Sequence, residues 1–246
     1  MIDTIRTDGL TKKFAAMAAV RELDFSVKAG KIFGLIGPNG AGKTTTTRLL
    51  TGILKPTAGD AWLCGKSVRS DMAGIRKLVG LVPEGVPLFR RLTARETISF
   101  FGRVFGVPEP MLSAKTAVVA ENLGLSDDLD RMNEGLSLGT KKKVLFACAL
   151  VHEPKVLICD EPTLGLDPRA TRTITRMLGD LREEGKTILL TSHNMVMVDE
   201  LCDDIAVIYK GNICVRGAPG ELKSEVSRLL DQKEVNLDEV FLHYTA

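Results

Sequence analysis

The segment Gly37-Pro38-Asn39-Gly40-Ala41-Gly42-Lys43-Thr44 fits the pattern G-x-x-x-x-G-K-[ST] and follows directly on the apolar run Ile32 to Ile36. The chemistry it suits is phosphate binding. Glycines let successive backbone N–H groups turn inward around phosphate oxygens. A helix starting at the end of the loop presents its positive end, and Lys43 adds a full charge toward the β and γ phosphates. Thr44 supplies a hydroxyl suited to magnesium, and Thr45 stands next to it. The bland alternative is a glycine-rich turn with an incidental lysine, and the strand before and helix after the loop argue against it.

Farther along, Val156-Leu157-Ile158-Cys159-Asp160-Glu161 reads as an apolar strand that delivers two adjacent carboxylates to its end. Their uses differ. Asp160 is placed to reach magnesium through its water shell, whereas Glu161 is placed to polarise the water that attacks a γ phosphate. A strand ending in Asp-Glu is by itself often a solvated strand end. Beside a phosphate cradle it is half of a nucleotide-hydrolysing site.

These side chains need a scaffold, and the apolar runs supply one. Ile32 to Ile36, Val79 to Val82, Val156 to Cys159, Thr187 to Thr191 and Ile205 to Tyr209 have the length and composition of buried parallel strands, with helical stretches between them. That alternation predicts a sheet covered on both faces, with ligands beyond the carboxyl ends of its strands. Ile5, Leu23, Phe25, Val27 and the Asp60 to Cys64 segment read as shorter strands of an antiparallel layer, and Gly211-Asn212 as the turn of a late hairpin. Between Pro83 and Pro154 the strand signal fades. There Thr93-Ala94-Arg95-Glu96 has the form of a capping box ahead of Ile98, Phe101 and Phe105 at helical spacing. Asn236-Leu237-Asp238-Glu239 repeats that form ahead of Val240, Phe241 and Tyr244, predicting a terminal helix docked on the body.

Composition narrows the function classes. With 246 residues, 44% of them apolar, the chain can bury a sizeable core. Its 33 basic and 31 acidic residues are dispersed and leave a net charge of +2, which argues against nucleic acid as a partner and against a polybasic membrane anchor. No apolar run approaches the roughly 18 residues that span a bilayer. The start, Met1-Ile2-Asp3-Thr4-Ile5-Arg6, lacks the features of a secretory leader, so a cytoplasmic location is expected. Cys64, Cys148, Cys159, Cys202 and Cys214 are odd in number and lack C-x-x-C spacing, which predicts reduced packing residues and not disulfides or metal ligands.

The order of motifs resembles that of ABC transporter ATPases, over most of the chain from about Ile5 to Gly217. After the second carboxylate the sequence reads Pro162-Thr163-Leu164-Gly165-Leu166-Asp167-Pro168, similar to the family's D-loop. The resemblance implies that Asp167 helps link two nucleotide sites across a dimer. After the next strand, Leu190-Thr191-Ser192-His193-Asn194 matches the family's switch histidine, which implies that His193 contacts the γ phosphate and holds the catalytic geometry. Leu10-Thr11-Lys12-Lys13-Phe14 resembles the segment whose aromatic stacks on adenine, making Phe14 the candidate, although a core role suits a phenylalanine equally.

Two stretches depart from the family pattern. The signature loop, usually Leu-Ser-Gly-Gly-Gln, is here Leu136-Ser137-Leu138-Gly139-Thr140, followed by Lys141-Lys142-Lys143. In the family this loop reaches the γ phosphate bound by a partner subunit. Ser137 and Gly139 keep the donors, whereas Leu138 removes a glycine's backbone freedom and Thr140 shortens a polar side chain, so closure that is weaker or more dependent on a partner is expected. The three lysines read as a solvated helix face, with contact to phosphates as the alternative. In Val79-Gly80-Leu81-Val82-Pro83-Glu84 the last residue replaces the usual glutamine. Glu84 is a candidate for magnesium or water, with metal needed to offset repulsion from Asp160 and Glu161. Both departures resemble bacterial ABC exporters whose ATPase and membrane-spanning subunits are separate chains.

Together these readings predict an α/β fold: a P-loop NTPase core with a mostly parallel sheet, an N-terminal antiparallel β layer and an inserted helical subdomain. They divide a single ABC ATPase domain, 1–246, into a nucleotide-binding core with its antiparallel layer (1–85 and 154–220), a helical subdomain carrying the signature loop (86–153) and a helical tail (221–246). The resemblance implies ATP and Mg2+ as ligands and a homodimer or heterodimer of ATPase subunits. It also implies a separate integral membrane permease that holds the chain at the inner face of the cell membrane. Two other readings stay open at this level: an ATP-binding regulatory module with weak or no hydrolysis, and a non-transport ABC ATPase.

Overall fold

In the computed structural model, residues 3–15 and 17–245 are described, so Met1 and Ile2 of the N-terminal stretch lie outside the described residues, as does Ala246. The chain begins with an antiparallel layer. Strand β1 (Asp3–Phe14) pairs with β2 (Met17–Leu23) on one side and with β5 (Ala58–Leu63) on the other, while β3 (Ser26–Lys28) also pairs with β1 and β6 (Lys66–Ser67) extends β5.

The second sheet has six strands in the order β11-β10-β4-β9-β8-β7. Its strands are β4 (Ile32–Ile36), β7 (Val79–Val82), β8 (Val156–Asp160), β9 (Thr187–Ser192), β10 (Asp204–Tyr209) and β11 (Asn212–Gly217). All neighbours run parallel except the β10–β11 hairpin, which turns at Lys210-Gly211, one residue earlier than the Gly211-Asn212 expectation. Asn212 instead opens β11, paired with Tyr209. Gly211 has φ 85 and Lys210 φ 49, so the turn needs two left-handed residues in succession, and these fix its position.

Strand alternation explains the uninterrupted apolar runs. Ile32, Ile36, Leu157, Cys159, Ile188 and Leu190 face a helical layer, whereas Phe33, Leu35, Val156, Ile158 and Leu189 face the antiparallel layer. Both faces are dry, so neither set of alternating positions can be polar. Phe33 stacks on Phe25 with ring centroids 5.1 Å apart, fastening the two sheets together.

The helices α1 (Lys43–Leu50), α2 (Met72–Arg76), α6 (Pro168–Glu183), α7 (Met195–Leu201) and α8 (Pro219–Leu230) connect or follow the strands. Between β7 and β8 stand α3 (Ala94–Val104), α4 (Glu109–Asn122) and α5 (Leu138–Leu150). Helix α3 starts with the predicted reciprocal cap: Glu96 N donates to Thr93 Oγ1 at 3.1 Å, and Thr93 N donates to Glu96 Oε2 at 2.8 Å. The terminal helix α9 (Leu237–Thr245) begins with the same exchange between Asn236 and Glu239, and it buries Leu237 and Val240 against the body. Gly80 lets α5 lie close on β7, since a Cβ there would come within 2.3 Å of the Ala149 carbonyl oxygen. Among the described residues no helix is long and apolar enough to cross a membrane.

Candidate nucleotide site

The loop between β4 and α1 is shaped by two left-handed glycines, Gly40 at φ 79 and Gly42 at φ 115. Gly42 is the residue before α1 and offers no side-chain cap, so the first amides of that helix stay free for an external acceptor. Lys43 is 5% exposed, and its Nζ donates to the carbonyls of Gly37 at 2.7 Å and Pro38 at 3.3 Å. A cavity of about 300 Å³ lies over the loop, lined by Pro38, Asn39, Gly40, Gly42, Lys43, Thr44 and Thr45, with Ala19 from β2 and with Glu84 and Glu161 opposite. Gly37 and Ala41 lie behind it: a Cβ on Gly37 would strike the Ile208 carbonyl oxygen at 2.3 Å, and Ala41 is buried.

Parallel register brings Glu161 to this cavity and sets Asp160 behind Thr44. Asp160 sits beside Thr191 in the β8–β9 ladder, and Thr191 Oγ1 donates to Asp160 Oδ1 at 2.6 Å. Thr44 Oγ1 reaches the same oxygen at 3.3 Å, and Thr47 Oγ1 reaches Oδ2 at 3.5 Å. Three hydroxyls therefore hold a carboxylate that is only 3% exposed. Glu161 leaves the strand with φ 47, an uncommon conformation for a side chain of its kind. Its amide is held there by the Thr191 carbonyl and hydroxyl, both at 3.1 Å.

The Glu161 carboxylate is divided between two cations or donors. Oε1 lies 3.4 Å from Lys43 Nζ in a pair buried on both sides, yet that contact is not aligned as a hydrogen bond and leaves Oε1 without a donor. Oε2 lies 3.0 Å from His193 Nδ1 and accepts from the His193 amide at 3.4 Å. An acceptor-only oxygen that is buried, unpaired and beside a cavity is suited to a water molecule. Among the described residues no group of three or more His, Cys, Asp or Glu side chains has metal-holding geometry. Magnesium suits this arrangement even so, because it keeps several waters, takes one or two protein oxygens and shares substrate phosphates. Thr44 and Asp160 provide those oxygens side by side, and Glu84 faces the same cavity.

Other sequence candidates lie away from the cavity. Phe14, at the end of β1, is 43% exposed with Lys12 Nζ 5.2 Å from its ring centroid, and it does not line the cavity. Ser137 caps α5 by accepting from Thr140 N at 3.1 Å, and Asp167 caps α6 by accepting from Ala170 N at 2.8 Å. The two caps are neighbours: a Cβ on Gly139 would come 3.3 Å from Ala170 Cβ, and one on Gly165 would come 3.4 Å from Leu138 Cδ2.

Two readings of this stretch need correction. Leu138 lies in the first turn of α5, where ordinary helical angles are required, so replacing glycine costs no strain there. Nor do the three lysines form a solvated face. Lys142 is 1% exposed, and its Nζ donates to the carbonyls of Glu84 at 2.5 Å and Pro83 at 3.3 Å. Burial pushes its ammonium below the usual lysine range, while Cys159, Glu84, Asp160 and Glu161 act in the opposite direction. A run of charges looks solvent-facing until α5 is laid on β7, since the helix turns one of three adjacent positions inward.

Sequence reading missed Lys142, Thr191 and Thr47 as parts of this neighbourhood. The signal for Thr191 was a hydroxyl at the end of a buried strand, which gains meaning only once parallel register sets it beside Asp160.

Comparison with known proteins agrees with this fold. The profile described as "ABC transporter" matches residues 20–164. The "Probable multidrug ABC transporter ATP-binding protein YbhF" of Escherichia coli (strain K12) is 35% identical over 238 residues, which are 97% of this chain and 41% of that protein. This chain therefore spans about two fifths of YbhF's length. The "Nod factor export ATP-binding protein I" of Ralstonia nicotianae is 40% identical over 218 residues, 89% of this chain and 68% of that protein. A solved "ATP binding subunit of ABC transporter" superposes with TM-score 0.87 at 26% identity, covering 99% of this chain and all of that one. The chain belongs to the ABC transporter family, as an ATP-binding domain of it.

Proposed function

We propose that this chain hydrolyses ATP as one half of a dimer and thereby drives a separate membrane-spanning permease, in the export direction. The observation that carries the reading is the convergence of Lys43 and Glu161 on one cavity beside a loop of free helix-terminal amides, with His193 held on the far oxygen of the Glu161 carboxylate. Export is supported by the relative named for Nod factor export.

In this reading the triphosphate lies along Gly37 to Thr45, with amides and Lys43 countering charge at the β and γ phosphates. Thr44 and Asp160 hold magnesium, with Glu84 beside them, and the metal supplies charge neutralisation at the phosphates when bound. Glu161 Oε1 orients the attacking water and accepts its proton, and His193 fixes the carboxylate through Oε2. Phe14 packs on the adenine face. Ser137 and Gly139 serve the nucleotide held by the partner subunit, and Asp167 joins the two sites. The core (1–85 and 154–220), with the tail (221–246) docked on it, and the helical segment (86–153) are the units that move against each other in this reading. The permease keeps the chain on the inner face of the cell membrane.

The test is Glu161→Gln, which keeps shape and removes the base. Turnover is expected to fall by about 10²–10⁴-fold while ATP now holds a stable dimer, read by phosphate release and by light scattering. Undiminished turnover, or a variant that stays monomeric in ATP, counts against the reading.

A further inference from the structure

Lys142, like Lys43, is buried and bonded to backbone carbonyls of a loop that lines the nucleotide cavity, but Lys43 belongs to the loop it bonds whereas Lys142 reaches its loop from helix α5. Among the described residues it has no ion-pair partner within 4.0 Å, so its charge is met by two carbonyl oxygens, those of Pro83 and Glu84. An ammonium taken out of water on such terms is costly, and a methionine of similar length would fill the same space more cheaply. What methionine lacks is the ability to grip two successive carbonyls. The grip joins two parts that face different directions. On one side is Glu84, a wall of the cavity. On the other is α5, whose first turn begins at the Ser137 cap, five residues or about 7.5 Å before Lys142 along a continuous helix.

We infer that Lys142 is a positioning residue that locks the Glu84 loop to the signature helix, so that a shift of the loop on nucleotide entry is carried to Ser137 and Gly139. The inference rests on the dimer reading above, because Ser137 and Gly139 matter there only for the partner's nucleotide. Helix α5 is suited to transmit such a shift: it is seated on β7 without a Cβ at Gly80, and eight of its residues, Lys142 among them, are buried. Lys141 also bonds a preceding carbonyl, that of Glu134 at 3.3 Å, but from an exposed position that water can replace.

The experiment compares Lys142→Met and Lys142→Arg in the full chain, each in the wild-type and the Glu161→Gln background. Three quantities are read: binding of a fluorescent ATP analogue by the monomer, the ATP concentration that half-saturates dimer formation by light scattering, and steady-state turnover. Lys142→Met is expected to bind the analogue within about twofold of the parent, yet to need about tenfold more ATP to dimerise and to turn over about tenfold more slowly. Lys142→Arg, which keeps charge and donors, is expected to recover most of both.

Equal dimerisation by Glu161→Gln with and without Lys142→Met overturns the coupling role and leaves the dimer reading standing. A parallel loss of analogue binding and dimerisation also overturns it, since that is the mark of a purely structural role. Failure of Glu161→Gln alone to dimerise overturns the dimer reading and this inference with it. If Lys142→Met does not fold, Lys142→Gln takes its place with the same deciding outcomes.

Discussion

His193 Nδ1 lies 3.0 Å from Glu161 Oε2, while Glu161 Oε1 lies 3.4 Å from Lys43 Nζ, so one buried carboxylate is held between an exposed imidazole and a buried ammonium. The imidazole comes from the residue after β9 and the carboxylate from the residue after β8, adjacent strands of one sheet. Their relation is therefore fixed by the ladder and not by the loops. His193→Ala is expected to lower turnover by about 10²-fold or more, because Glu161 loses the partner that orients it, with nucleotide binding changed only a few-fold. Phosphate release and a fluorescent-nucleotide titration measure the two. A variant that loses binding and turnover in equal proportion assigns His193 to the ground state instead.

Gly42 is the position in the cradle where a side chain meets both a left-handed backbone and a backbone clash. Its φ of 115 is outside the range of ordinary residues, and a Cβ would sit 2.6 Å from the Ala19 carbonyl oxygen in β2. Both penalties fall on a substitution to alanine, which is expected to cost about 1–3 kcal/mol of stability by denaturant titration. Nucleotide binding should be lost as the first amides of α1 are turned away. Gly40, with open space around it, is strained only through its φ of 79, and Gly40→Ala should therefore be the milder of the two.

Much of this site could be read in the sequence because its signals are local. The cradle, the Asp160-Glu161 strand end and the caps at Thr93 and Asn236 each depend on spacing within one segment, and the structure has the corresponding loop, strand and caps. Lys142 was illegible for the opposite reason. Whether a lysine in a run of three is solvated depends on where α5 meets β7, a contact between residues far apart in the chain. Leu138 misled differently: losing a glycine suggested a loss of needed backbone freedom, but the helix has already begun there.

Thr191 is the hinge of the carboxylate pair, donating to Asp160 at 2.6 Å and receiving the Glu161 amide at 3.1 Å. Thr191→Val keeps the shape and the strand propensity while deleting both bonds. It is expected to cost about 1–3 kcal/mol, since a buried carboxylate oxygen and an amide each lose a partner. Asp160 would also be less firmly aimed at Thr44, so the magnesium concentration that half-activates turnover should rise. A magnesium titration of ATPase activity separates this from a general loss of stability, which would reduce the maximal rate of turnover without moving the midpoint.

The thiols report on the same sheet from inside. Burial pushes the thiols of Cys148, Cys159 and Cys202 far above the ordinary cysteine range, and burial also raises Cys64, which is half-covered and drawn back by the Lys155 charge. Cys214, on the edge strand β11, is exposed. Because the thiolate is the nucleophile, alkylation of the native chain at mildly alkaline pH should label Cys214 first and Cys64 more slowly. The other three should react only after denaturant. Cys159 is the telling one, because it precedes Asp160 in β8, an interior strand of the six-stranded sheet between β9 and β7, beneath Lys142. Mass spectrometry of the native, alkylated chain decides it: label on Cys159 without unfolding would mean that β8 opens and that the spacing of Asp160, Glu161 and His193 is not fixed.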